Sequence, residues 1–194
     1  MIPGTWGYLV RMLPGAVVAA LAYAALLPFR SRRLTRFGLS SPCHREFLLF
    51  LFFLFCGGMA LITLTPRWFH WLSLLTGGTT APFFSLGTFN LIPFRTVSFD
   101  TWSLLILLGN VIMFLPIGFF SVLLWRNVSV RRILLIGLLT TLSIELEQLL
   151  VGRTFDIDDI WLNTAGVLLG GLFCRLLRRL APALTGAFQV QNTR

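Results

Sequence analysis

Charge is what this 194-residue chain has least of: Asp, Glu, Lys and Arg together make up 12%, and only seven residues are acidic. Seven acids and sixteen bases cannot wet the surface of a soluble domain this long, so a free-standing soluble globule is excluded. Lysine is missing altogether, and all sixteen basic residues are Arg, a bias that points to no particular chemistry. Histidine occurs twice, as His44 and His70, so a Ser-His-Asp triad would have to recruit His70 from an interfacial segment. The three cysteines, Cys43, Cys56 and Cys174, show neither metal-ligand spacing nor a disulfide framework. What the chain has in abundance is apolar: 56% of residues are hydrophobic and 14% aromatic, with a mean hydropathy of +0.84.

Five apolar runs are long enough to cross a bilayer or nearly so: Tyr8 to Phe29, Phe47 to Thr65, Ser103 to Trp125, Ile133 to Leu150 and Ile160 to Leu177. They predict an all-α integral membrane bundle of about five transmembrane helices. The fourth and fifth runs are short and interrupted by polar residues, which suits helices that face each other instead of lipid. Ala22, Tyr23 and Ala24 resemble a cleavage site. The apolar run continues through Leu27, however, and the basic cluster follows it, the pattern of an anchor.

Arginine placement sets the expected orientation. Twelve of the sixteen fall on one side: Arg30, Arg32, Arg33, Arg36 and Arg45 after the first run, Arg126, Arg131 and Arg132 after the third, and Arg175, Arg178, Arg179 and Arg194 at the end of the fifth and beyond. Arg11, Arg67, Arg95 and Arg153 fall on the other. The positive-inside rule then puts the N-terminus outside and the C-terminus in the cytoplasm of a multi-pass plasma-membrane protein. The net charge of +9 reads as a topology signal with membrane-lipid contact, and no nucleic-acid partner is expected. The chain divides into residues 1–45, a first membrane helix with a basic loop; 46–180, the main membrane domain; and 181–194, a cytoplasmic tail.

The longest connection, Pro66 to Trp102, begins with RWFHWLSLL, whose interleaved aromatic and basic residues predict a short interfacial helix or turn. Gly77 and Gly78 break any helix there, and TFNLIPFRT, with Asn90, Pro93, Phe94 and Arg95, leads back toward the membrane.

The segment from Ser143 to Gly171 places Glu145, Glu147 and Gln148 inside an apparent membrane helix, where an acid costs about 2.5 to 3.5 kcal/mol at the centre. Arg153, Asp156, Asp158, Asp159 and Asn163 follow at once. On the expected topology Asn110 lies about 10 Å below the outer boundary, Glu145 and Gln148 within about 3 to 8 Å of it, and Asn163 about 5 Å in. Glu145 and Gln148 share a helix face at i and i+3, while Glu147 points elsewhere. Asp159 and Asn163 are i and i+4, and Gly166 with Gly170 makes a G-x-x-x-G on the same stripe that lets another helix approach. In the third run Asn110, Pro116 and Gly118 sit in N-x-x-x-F-x-P-x-G, where Pro116 frees a carbonyl near mid-membrane and predicts a kink.

Simpler roles exist for several of these residues. Asn110 and Asn163 would serve as interhelical glue worth under about 2 kcal/mol, and Asp158 or Asp159 as the N-cap of the fifth helix. Those roles do not absorb three aspartates, a buried Glu and an Arg together.

NLIPF (Asn90 to Phe94), GNVIMFLPIG (Gly109 to Gly118), SIELEQ (Ser143 to Gln148) and GRTFDIDDIWLNTAGVLLGG (Gly152 to Gly171), in that order, resemble the VanZ-like membrane proteins, whose founding member is associated with resistance to the glycopeptide teicoplanin. The resemblance covers about Phe47 to Leu177. It implies that Asn110, Pro116, Glu145, Gln148, Arg153, Asp156, Asp159, Asn163 and Gly166 matter most. Three functions stay open. Asn110, Gln148, Arg153 and Asn163 would bind a lipid-linked or anionic envelope component such as a cell-wall precursor. Alternatively, Glu145, Asp156 and Asp159 would form a catalytic carboxylate set for hydrolysis or transfer on a lipid, and a hard divalent cation there would suit phosphoryl chemistry. The third is a structural assembly role. Pro116, Gly118, Gly166 and Gly170 are structural in each case; no metal ligand set is assigned, and cofactor and oligomeric state stay unassigned.

Overall fold

A computed structural model describes residues 5–75, 85–94 and 101–192. In chain order its elements are α1 (Thr5–Arg36), β1 (Leu39–Ser40), α2 (Cys43–Leu75), β2 (Phe89–Asn90), α3 (Thr101–Leu124), α4 (Val130–Leu150), β3 (Phe155–Asp156), α5 (Ile157–Leu180), α6 (Pro182–Gly186) and β4 (Gln191–Asn192). Five of the helices carry segments long and apolar enough to cross a membrane, and the chain is all-α.

Two helices outrun their predicted ends. α1 continues past Pro28 to Arg36, and α2 continues to Leu75, so the RWFHWLSLL segment forms its last turns and not a separate interfacial element. A proline denies a membrane helix one backbone hydrogen bond without ending it, because the surrounding helix and its neighbours hold the turn in place. Gly77, Gly78 and Arg95 lie outside the described residues. α3 likewise runs unbroken through Pro116.

The hub of the bundle is the α3 and α5 pair, and glycine makes it close. A Cβ added at Gly118 would sit 1.8 Å from the Val167 carbonyl oxygen, and one at Gly166 or Gly170 would sit 2.3 Å from that of Val111 or 2.0 Å from that of Leu115. The two backbones therefore touch along two turns, in both directions, as small residues in membrane interfaces permit. α4 packs on the other side of α5, and Phe114, Ile117, Ile133, Ile144, Val167 and Cys174 fill the space between. α1 lies on α2, where Tyr23 packs edge-on against Phe50 and Phe53.

The outward faces are apolar: Leu21, Ile106, Leu139 and Phe173 are all about three-fifths exposed or more. Such continuous apolar exposure far exceeds what a soluble monomer carries and is what lipid requires.

Arginine collects at one end, where Arg45 and Arg178 close α3. The last carbonyls of α3 have no intrahelical donors. Arg45 donates to Leu124 at 3.2 Å, Arg178 to Val122, Leu123 and Trp125, and Gln189 to Leu123. Arg30 pairs with Glu46 at 2.5 Å, and Glu46 also accepts from the Tyr23 hydroxyl. The tail is tied into the same end: β4 pairs antiparallel with β1, and His44 donates to the Ala187 carbonyl.

Candidate functional site

The opposite end gathers the polar residues. α4 buries one stripe that includes Thr141, Glu145 and Gln148, and Glu147 is exposed, as their spacing predicts. After Val151 the chain reverses through Gly152, at φ 80°, and re-enters as α5. The positive φ suits glycine, which lacks the Cβ that would clash there.

Asp156 is the N-cap of α5, the role expected of Asp158 or Asp159. Its Oδ1 accepts from the Asp158 N–H at 2.9 Å, and its Oδ2 accepts from Asn90 Nδ2 at 3.0 Å. The cap falls there because α5 begins at Ile157, three residues before the apolar run does. Asp158 is 1% exposed and acts as an anchor: its Oδ1 accepts from the Phe94 N–H at 2.8 Å and from Trp161 Nε1 at 3.1 Å. Phe94 is held at φ 62°, a region that costs a bulky residue about 1 kcal/mol or more, so that hydrogen bond fixes a strained turn.

The NLIPF segment thus folds back onto the α4 to α5 turn. β2 and β3 pair in parallel, with Phe89 opposite Phe155 and Asn90 opposite Asp156. Gly87 allows it: its N–H donates to the Leu149 carbonyl at 2.8 Å, and a Cβ there would lie 1.7 Å from the Arg153 carbonyl oxygen.

Glu145, 1% exposed, accepts the Asp156 backbone N–H on Oε2 at 2.8 Å. Asn110 reaches from α3 to Asp159, Nδ2 to Oδ1 at 2.6 Å. Asn163, expected on one stripe with Gly166 and Gly170, turns instead to α4. Its Nδ2 donates to Thr141 Oγ1 at 3.1 Å, while its buried Oδ1 has no partner among the described residues. The glycines face α3, so the stripe serves two neighbours. Gln148 is buried beside Glu145, and its backbone carbonyl accepts from the Arg153 N–H at 2.9 Å.

Arg153 is exposed and donates from Nη1 to the Thr63 carbonyl of α2 at 3.3 Å. Among the described residues it forms no ion pair within 4 Å, although its charge and those of Asp156 and Asp159 all act on Glu145. α2, α3, α4, α5 and the β2 segment therefore converge on one acidic end, bordered among the described residues by the Arg153 guanidinium. No three His, Cys, Asp or Glu side chains among the described residues stand close enough to hold a metal ion.

Three contributors were not assigned from sequence: Asn90, Phe94 and Thr141. Thr141 lies one turn before Glu145 on its face, a spacing that could have found it. Asn90 and Phe94 sit inside a quoted motif, but their partners are more than sixty residues away.

No curated protein and no solved structure matches the chain. The model of one family, VanZ/LLP1, matches residues 47–178, which run from α2 to α5 and include every polar group described at the acidic end. Matched over more than half its length, with the bundle and its polar end inside the match, the chain belongs to the VanZ/LLP1 family.

Proposed function

We propose that the acidic end of the bundle faces the outside of the plasma membrane and binds an anionic or lipid-linked envelope component. The observation that carries this reading is Arg153. Its guanidinium is exposed, tethered at one nitrogen to Thr63 and outside ion-pair contact with Glu145 and Asp159, the acids on which its charge acts. A planar fork with unused donors suits phosphate or carboxylate, and the acids restrain it without consuming it. Asn110 and Asn90 are committed to aspartates, and Asn163 to Thr141, so among the expected binding residues Arg153 and Gln148 are the ones left for a ligand. A site of this kind, on a cell-wall precursor, would give a membrane protein a means to alter glycopeptide, including teicoplanin, susceptibility.

The orientation follows the arginine bias, since the opposite end carries most of the basic residues. A hydrolase or transferase reading would rest on Glu145 and Asp159, because Asp156 is taken up by the α5 cap and Asn90. The test is lipid co-purification: wild type should retain an anionic or lipid-linked component that Arg153→Lys loses at equal membrane abundance. Identical lipid profiles would overturn the binding reading. Accessibility of a cysteine placed at Arg153 to an impermeant reagent on whole cells tests the orientation.

A further inference from the structure

At the arginine-rich end, α3 and α4 each pack chiefly on α5 and touch one another sparsely, which leaves a wedge that α2 only partly closes. The wedge is a cavity of about 550 Å³. Along α3 it is lined by Ile117, Ser121 and Trp125, and along α4 by Arg132, Ile136 and Thr140, each set spaced one turn apart. Cys56 and Met59 of α2 form its back. Eight residues of helix make it about 12 Å deep, most of the roughly 15 Å of hydrocarbon in one leaflet.

Charge at this cavity has one sign. Arg126 and Arg132 line it and are exposed, and no acidic residue does. Four of the arginines described at this end are committed: Arg30 to Glu46, and Arg45, Arg175 and Arg178 to carbonyls. The guanidinium groups of Arg126 and Arg132 have no such partner among the described residues.

We propose that this cavity is a binding site for an anionic membrane phospholipid, with an acyl chain between α2, α3 and α4 and the headgroup phosphate on Arg126 and Arg132. Apolar depth matched to one leaflet selects a lipid chain, and paired unneutralised guanidinium groups at its end select an anionic headgroup over a zwitterionic one. The site is separate from the acidic end and does not depend on what binds there.

Cys56 reports occupancy. In a Cys43→Ser, Cys174→Ala background, N-ethylmaleimide modification of Cys56 would be followed by intact mass in nanodiscs of phosphatidylcholine, with and without phosphatidylglycerol. Phosphatidylglycerol should slow labelling, by about fivefold for each arginine engaged. Arg132→Gln should remove part of that protection and Arg126→Gln with Arg132→Gln all of it. Both side chains are exposed, so the variants should reach the membrane as wild type does. Equal labelling in the two lipids, or protection that survives the double variant, would overturn the proposal, since the cavity would then take any acyl chain. Native mass spectrometry of wild type, showing retained phosphatidylglycerol that the double variant lacks, is the second reading of the same point.

Discussion

Asn110 Nδ2 donates to Asp159 Oδ1 at 2.6 Å, joining α3 to the first turn of α5 directly above the turns where Gly166 and Gly170 bring the two helices into backbone contact. The polar tie and the close packing lie on one seam. Asn110 is therefore a positioning residue for Asp159, and Asn110→Ala should destabilise the bundle by about 1 to 2 kcal/mol, the range for interhelical and charge-assisted hydrogen bonds. Unfolding in mixed micelles measures it, and no change would mean that the contact contributes nothing net.

Glycines inside the seam should respond very differently from one outside it. Gly118→Ala and Gly170→Ala place a Cβ within 2.0 Å of a backbone oxygen, which no side-chain rotation relieves, so α3 and α5 must separate. Overpacking of this kind costs about 1 to 3 kcal/mol or more. Gly109→Ala, on the same helix with nothing within 4 Å, should be neutral or stabilising by up to about 1 kcal/mol. Thermal stability of the three purified variants orders them, and equal losses would mean the seam is loose.

Asp156 separates capping from chemistry. Asn is as good an N-cap as Asp, so Asp156→Asn should keep most of the stability, while Asp156→Ala should lose about 1 to 2 kcal/mol. Function retained in Asp156→Asn would leave the residue a structural role. A stable, abundant but inactive Asp156→Asn would instead return it to the catalytic set.

Glu145→Gln keeps an oxygen for the Asp156 N–H and removes the charge, whereas Glu145→Ala also leaves that N–H without its acceptor at a cost of about 1 to 3 kcal/mol. If the acid serves only to hold the turn, Gln should behave as wild type in glycopeptide susceptibility and in lipid retention. Loss in Gln at normal membrane abundance assigns the charge to ligand handling.

Much of the polar end was legible in the residues. An i, i+3 pair within an apolar run marks a buried face wherever it occurs, and Glu145 with Gln148 occupies one. The G-x-x-x-G at Gly166 and Gly170 is equally local, because only glycine permits that approach. The cap was misplaced by two or three residues because the end of an apolar run marks where hydrophobicity begins, whereas a helix begins where a side chain can take its first free N–H groups.

Composition and periodicity by themselves determined the solvent, the helix count and which residues are too polar to face lipid, since those follow from transfer free energies and a 3.6-residue repeat. Partnership was decided only by the tertiary structure. That Asn163 turns to Thr141, that Asp158 holds Phe94 and that Arg153 is left without a counter-ion within 4 Å among the described residues depend on chain reversals tens of residues long. Hydrogen bonds act over about 3 Å, so no spacing along the chain encodes which distant donor arrives.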